Sequence, residues 1–359
     1  MNDRKVLAAM SGGVDSSVTA QILAEQGYEC IGCTMRLYDN EDAVCSDKTC
    51  CSLDDVEDAR SVARRLGIPY HVFNFTDDFR EQIISKFARC YAAGLTPNPC
   101  IDCNRYMKFA KLLDRAKVLG CRFIATGHYA RIEETDSGFI LRKGLDAGKD
   151  QSYVLYMLTQ EQLACTLLPL GGLTKSQVRE IAAAHGFVNA RKRDSQDICF
   201  VPDGDYAKVV EHHLGRSLAP GNFVDRQGHV LGRHKGIIHY TVGQHRGLGL
   251  TLPQAHYVCA LRPESNEVVL GPAAELFRRE TDILDCNWIS GRIPEAPVRC
   301  QVKVRYRASE QWAAVTATGE TTAHICFDEA QRAVAPGQAA VFYDGDIVLG
   351  GGVIAPRAS

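Results

Sequence analysis

Ser11-Gly12-Gly13-Val14-Asp15-Ser16-Ser17 decides the fold. The string stands between an apolar run, Val6 to Ala9, and an amphipathic stretch, Asp15 to Gln26, with Val18 and Ile22 on one face. A strand, a glycine turn and a helix in that order bring unpaired helix N–H groups to the end of a strand. There an anion is favoured, and Gly12 and Gly13 let the backbone approach it. Ser11, Ser16 and Ser17 offer hydroxyl donors, and Asp15 is placed to hold a magnesium ion. No Gly-Lys-Ser follows, so the common kinase-type phosphate loop is excluded, as is the spaced Gly-x-Gly-x-x-Gly of dinucleotide folds. The plain alternative is a tight turn whose Ser and Asp only cap the helix.

Outward from the loop, strands and helices alternate. Strands are expected at Glu29 to Met35, Tyr70 to Phe75 and Arg122 to Thr126. Helices are expected at Leu53 to Leu66, Phe79 to Ala93, Arg105 to Leu119 and Thr174 to His185. This rhythm predicts an α/β domain with a mostly parallel sheet covered on both faces, binding its ligand beyond the carboxyl ends of the strands. After about Val210 the pattern turns to glycine-rich turns and short strands: Gly221 to Asp225, Val230 to His234 and Tyr240 to Gly243. From about Ile283 a period of two dominates, as in Val298, Cys300, Val302, Val304 and Tyr306. That pattern predicts a small antiparallel barrel or sandwich. The expected division is 1–210, 211–280 and 281–359.

The 359 residues carry 45% hydrophobic and 23% charged residues and a formal net charge of -2, an ordinary globular composition. No apolar run is long enough for a membrane span, and the Met1 start lacks a signal-peptide pattern, so a cytoplasmic protein is expected. The weak negative charge argues mildly against a polyanionic partner. The charge is unevenly spread, however. Asp39 to Asp58 is acidic, whereas Arg191-Lys192-Arg193 and Arg233 to Arg246 are basic.

Fifteen cysteines do not follow the spacing of a disulfide-stapled domain. Cys30, Cys121, Cys259, Cys300 and Cys326 sit in apolar strand patterns and read as buried packing residues. Cys45, Cys50 and Cys51 have no evident role beyond a metal site or an acidic lid. In Thr96-Pro97-Asn98-Pro99-Cys100-Ile101-Asp102-Cys103-Asn104 the prolines stiffen the approach to a helix that Asn104 could cap. A thiol at such a helix start is biased towards thiolate, which makes Cys103 a nucleophile candidate. A Cys-x-x-Cys pair also suits zinc, redox chemistry or two unrelated core thiols.

The loop resembles the signature of the N-type ATP pyrophosphatases, which implies adenylation of a substrate with release of pyrophosphate. The whole chain resembles the bacterial tRNA-specific 2-thiouridylase family. The resemblance is carried by Ala9 to Ser16, Asn98 to Asn104, Thr126-Gly127-His128-Tyr129-Ala130, Gly148-Lys149-Asp150-Gln151-Ser152-Tyr153, Ile198-Cys199-Phe200, Gly236 to Gln244, and Val304-Arg305-Tyr306-Arg307. It implies a parallel-sheet ATP pyrophosphatase domain, a small central domain and a C-terminal antiparallel β-barrel. It makes Cys103 the nucleophile and Cys199 the persulfide carrier. It places ATP against Ala9, Met10, Ser11, Gly12, Gly13, Val14, Asp15, Ser16, Met35 and Gly127, and the target base against Asn98, Pro99 and Cys100. The tRNA would meet His128, Lys149, Asp150, Gln151, Arg305, Tyr306 and Gln338.

The implied partners are tRNA, a cysteine desulfurase or sulfur-relay protein, and a cellular thiol reductant. The implied cofactors are ATP and magnesium. Many family members carry aspartate where this chain has Cys100, and that acid assists proton transfer. Here the proton must pass through the thiol, Asp102 or water. The same substitution admits a rival in which Cys100, Cys103 and Cys199 hold an iron–sulfur cluster, or zinc, though persulfide chemistry is preferred. Two further rivals are a different adenylating synthetase that uses ammonia, and an RNA-binding or nucleotide-sensing protein without catalysis.

Overall fold

The computed structural model describes residues 2–39, 53–192 and 198–356. Cys45, Cys50 and Cys51 lie outside the described residues, as do 193–197, the polar residues that precede Ile198.

The strands β1 (Asn2–Ala9), β2 (Glu29–Arg36), β3 (Tyr70–Asn74) and β4 (Cys121–Ala125) are parallel. Two further strands, β5 (Ala130–Thr135) and β6 (Gly138–Lys143), pair as a hairpin, and the short β7 (Thr166–Leu167) returns to the edge of the parallel sheet. The order of that sheet is β3-β2-β1-β4-β7. The chain leaves β1 towards β2 and later comes back to its other side, so the connections diverge at the β1/β4 boundary. No crossover covers the strand ends there, and a crevice results. Val6, Leu7 and Ala8 of β1 are fully buried, as a central strand covered on both faces requires.

Two helices differ from the sequence expectation. The one expected from Arg105 begins at Pro99, with Asn98 as its cap, and runs as Pro99–Asp102, a π-helical Cys103–Lys111 and an α-helical Leu112–Val118. The one expected from Phe79 begins at Thr76 and contains a π-helical Arg80–Ile84. Asn104 is therefore no cap. It is buried inside the helix, and its Nδ2 donates to the Val154 carbonyl at 2.8 Å.

The central sheet comprises β8 (Gly221–Val224), β9 (Val230–His234), β10 (Tyr257–Arg262) and β11 (Glu267–Gly271), in the order β10-β11-β8-β9. Tyr240 to Gly243, expected as a strand, is a turn. Gly243 adopts φ 94°, which a ladder residue does not. The core of this sheet, around Phe223 and Val258, runs on into Phe79, Phe87 and Phe200 of the first domain.

The last six strands are β12 (Phe277–Trp288), β13 (Val298–Lys303), β14 (Gln311–Ala317), β15 (Ala323–Arg332), β16 (Ala339–Asp344) and β17 (Ile347–Ile354). They pair in the order β12-β15-β14-β13-β16-β17, and β17 pairs back onto β12. The result is a closed antiparallel barrel, which removes exposed edges. Alternation sends Cys300, Val302, Ala313, Val315, Ile325 and Phe327 inward. Cys326 belongs to the opposite parity and is exposed, contrary to the expectation of burial.

The β5–β6 hairpin was not expected. It adds to the barrel sheet through β6 and β17, where Val348 faces Leu141. Arg131 and Arg142 both reach Asp346 at 2.7 Å. Among the described residues no helix is long and apolar enough to cross a membrane. Leu141 is fully buried where the hairpin meets the barrel, so Leu141→Ala should lower stability by about 2–5 kcal/mol. Urea denaturation checks this, and a loss under about 1 kcal/mol would show that the junction is not packed.

Candidate active site

Helix Val14–Glu25 begins with Gly13 as its N-cap, and no side chain caps it, so its first N–H groups are open to a ligand. The loop itself is braced from within. The Ser11 N–H donates to Ser16 Oγ at 3.1 Å, and the Ser16 and Ser17 hydroxyls both donate to the Gly13 carbonyl at 3.0 Å. Asn189, almost fully buried, donates to the Gly12 carbonyl and to Ser17 Oγ, both at 2.9 Å. Ser17 is thus a brace rather than a phosphate donor. Gly12 has φ 76°, and a Cβ there would fall on the Asp55 carbonyl, so helix Leu53–Leu66 packs directly on the loop.

Asp15 is not open for a metal as the structure stands. Both of its carboxylate oxygens accept from Lys175 Nζ, at 2.8 and 2.7 Å, and Oδ1 also accepts from the Tyr129 hydroxyl at 2.7 Å. Lys175 opens helix Lys175–Ala184 behind a Thr174–Gln177 capping box, which fixes where its side chain starts. Gly127 lies flat against Asp15, where a Cβ would come within 3.0 Å of the Asp15 backbone.

Cys100, not Cys103, occupies the first turn of its helix. Its N–H donates to Asn98 Oδ1 at 3.2 Å, and its side chain is exposed. Cys103 is a turn further in and buried, and burial pushes its thiol up to about 11, with Lys108 opposing that rise and Cys100 and Asp102 adding to it. The expectation that the helix end favours a Cys103 thiolate therefore fails for the resting protein. Cys199 is half-buried, and its carbonyl accepts from the Tyr38 hydroxyl at 2.7 Å. Its neighbour Phe200 is anchored edge-on between Phe79 and Phe87.

The crevice at the β1/β4 boundary is a cavity of about 340 Å³. Ala9, Met10, Ser11, Asp15, Ser16, Met35 and Gly127 line one part of it, and Pro99, Cys100, Cys103, His128, Gln151 and Cys199 line the rest. Gly12, Gly13, Val14 and Asn98 act behind this wall as loop backbone and cap. Lys108, Thr126 and Phe79 also line the cavity, and the sequence reading assigned none of them a role in the site. His128 shares a proton with Thr126 Oγ1 at 2.7 Å. Burial, then the Lys108 charge, hold its ring well below the usual histidine range, so it is neutral. Among the described residues no three His, Cys, Asp or Glu side chains are grouped as a metal site requires.

The remaining residues surround the mouth. Tyr306 is exposed and donates to the Asp150 carbonyl at 3.0 Å. The Asp150 carboxylate accepts from the Gly144 and Ser152 N–H groups, and Gln151 Oε1 accepts from the Tyr129 N–H. Gln338 Nε2 donates to the Thr96 carbonyl at 2.9 Å, so a barrel turn holds the approach to the cysteine helix. Arg305 Nη2 donates to the Val242 and Ala333 carbonyls, both at 2.9 Å, tying the central domain to the barrel. Lys149 is half-buried on the loop that follows the hairpin.

Family models match in three consecutive parts: a tRNA methyl transferase HUP domain over residues 4–203, a tRNA methyl transferase PRC-barrel domain over 207–272, and an aminomethyltransferase beta-barrel domain over 278–354. The chain is 51% identical over 359 residues to the tRNA-specific 2-thiouridylase MnmA of Carboxydothermus hydrogenoformans, covering 99% of this chain and 98% of that one. To the protein of the same name from Clostridioides difficile it is 49% identical over 354 residues, 98% of each. The chain belongs to the tRNA-specific 2-thiouridylase family.

Among solved structures it is similar to a 4-thiouridine synthetase–RNA complex with bound ATP, at a TM-score of 0.35 and 20% identity over 58% of this chain and 50% of that one. An NMN synthetase from Francisella tularensis gives a TM-score of 0.34 and 17% identity over 60% and 79%.

The Asp15–Lys175 pair has a measurable consequence. Asp15→Ala leaves Lys175, 9% exposed, without its carboxylate and should cost about 1–3 kcal/mol, the partial exposure of Asp15 reducing the full buried-pair penalty. Adding Lys175→Met should recover that stability without restoring AMP formation. Thermal melts and AMP assays of the single and double variants check both points. Normal AMP formation in Asp15→Ala would remove Asp15 from the site.

Proposed function

We propose that the chain uses ATP to adenylate the oxygen on carbon 2 of the wobble uridine in tRNA, then replaces that oxygen with sulfur from a persulfide on Cys199. The observation that carries this reading is the single cavity shared by the phosphate loop and Cys100, Cys103 and Cys199. One family model is described in terms of methyl transfer. A phosphate loop facing thiols suits sulfur transfer, because an adenylated carbon needs a nucleophile and sulfur is a strong one.

The open N–H groups of helix Val14–Glu25 and the Ser11 hydroxyl would stabilise charge on the phosphates during adenylation. Magnesium on ATP needs only one or two protein carboxylates, and Asp15, on the cavity wall, would hold it by giving up a bond to Lys175. It would neutralise the charge that develops on the phosphates. Lys175, held against Asp15, balances that carboxylate beside the same loop.

The terminal persulfide sulfur attacks carbon 2, and AMP leaves with the electron pair of the carbon–oxygen bond. The Cys103 thiolate then attacks Cys199 Sγ. The sulfur–sulfur bond breaks, its electrons stay with the sulfur on carbon 2, and a Cys103–Cys199 disulfide remains. The thiol protons pass to water, and a cellular thiol reductant reopens the disulfide. The sulfur itself comes from a cysteine desulfurase or a relay protein. Asn98, Pro99 and Cys100 are assigned to the base, which must leave its stack to enter. Exposed Cys100 is placed to pass a proton where related enzymes carry aspartate.

We assign the tRNA to the rim formed by Lys149, Asp150, Gln151 and Tyr306, with His128 further in. Arg305 and Gln338 shape that rim by the carbonyls they hold. Incubation with ATP, a persulfide donor and unmodified tRNA should give AMP and a 2-thiolated nucleoside in equal amounts. AMP with an aminated product, or no ATP cleavage, would reject the reading. Lys149→Ala should weaken tRNA binding and reduce its salt slope by about one unit. Arg305→Ala, which removes the Nη2 bonds to the Val242 and Ala333 carbonyls, should lower the melting temperature more than the slope. Filter binding across a salt series and thermal melts distinguish these outcomes, and the reverse pattern contradicts the assignment.

A further inference from the structure

Cys103–Lys111 is π-helical over 9 residues, and both Cys103 and Lys108 line the cavity. With i→i+5 hydrogen bonding, residues five apart stack on one face. In an α-helix the same two residues would point about 140° apart. The π geometry is thus what turns Lys108 into the cavity beside Cys103, a placement that apolar periodicity cannot show. Among the described residues no carboxylate or hydrogen-bond acceptor holds the Lys108 ammonium. The neighbouring cations differ. Lys86 is paired with Asp102 at 2.7 Å, and Lys111 with Asp78 at 2.8 Å. An unpaired, half-buried ammonium facing a cavity marks a place where an anion comes and goes.

We propose that Lys108 is the cation of the thiol end of the cavity, holding the negative charge carried by sulfur as it passes from Cys199 to the base and Cys103 closes the disulfide. The inference rests on the reading of Cys103 and Cys199 given above. Both sulfur steps place one negative charge on a sulfur in this cavity. His128 is neutral and contributes no charge, and Asp15 and Lys175 neutralise each other at the phosphate end. The other charges about Cys103 are unhelpful, since Cys100 and Asp102 disfavour its anion and only Lys108 opposes them. Lys108 thus acts on the sulfur anion through its charge more than its shape.

The test reads that charge without ATP or tRNA. Full-length parent, Lys108→Met and Lys108→Arg are alkylated with neutral iodoacetamide or anionic iodoacetate, and labelling at Cys103 is mapped by mass spectrometry. Exposed Cys326 on the barrel serves as the internal reference. The iodoacetate-to-iodoacetamide ratio at Cys103 should fall by about three-fold or more in Lys108→Met and be kept in Lys108→Arg. An unchanged ratio in Lys108→Met overturns the proposal. ATP affinity should stay within about two-fold, and a ten-fold loss would move the Lys108 charge to the nucleotide phosphates and also overturn it. Should the Met variant unfold, which labelling of buried Cys121, outside the cavity lining, would reveal, Lys108→Gln carries the same comparison. The underlying reading fails separately, if Cys103→Ser still thiolates tRNA whatever the alkylation ratio.

Discussion

The divergence of chain connections between β1 and β4 is the constraint on which the rest depends. It leaves strand ends uncovered at one place in an otherwise wrapped sheet, and the chemistry-bearing segments converge there. The phosphate loop follows β1 directly, Met35 is the last residue but one of β2, and Gly127 and His128 follow β4. A crevice of this kind collects polar groups that would be costly elsewhere in a buried core. The Asp15–Lys175 pair and neutral His128 show how the charge is kept balanced before any ligand arrives.

The other two sheets position the cysteine helix and complete the mouth. Gln338, on a barrel turn, holds Thr96 just ahead of the Asn98 cap. The hairpin β5–β6 fastens the first domain to the barrel by strand pairing and by the Asp346 ion pairs. Phe200 extends the first domain's aromatic cluster towards the central sheet and thereby fixes the chain next to Cys199. Burial then gives the sulfur chemistry its character. A thiol raised to about 11 is inert at rest and needs a nearby positive charge to react.

Much of this was legible in local sequence. The phosphate loop depends on neighbouring residues, and the parallel strands and barrel alternation follow from short-range periodicity. What escaped depended on distant partners or on a change of helical pitch. Asn104 looked like a cap because the proline at 99 was read as approach, whereas proline suits the first helical turn and Asn98 precedes it. Lys108 lies on the wrong face at a period of 3.6 and on the right one only in a π-helix. Lys175 reaches Asp15 across 160 positions, and nothing near either residue announces the pair. The hairpin 130–143 is short and strongly charged, and its partner strand lies more than two hundred residues away.

The central claim is that a single cavity joins adenylation to sulfur transfer between Cys199 and Cys103. The most direct measurement is a single turnover with persulfide-loaded protein, ATP and unmodified tRNA in the absence of reductant, followed by disulfide mapping. The account predicts one Cys103–Cys199 disulfide for each 2-thiolated uridine formed, and none when ATP is omitted. Thiolated tRNA appearing in the same yield while Cys103 and Cys199 both remain free thiols would contradict it.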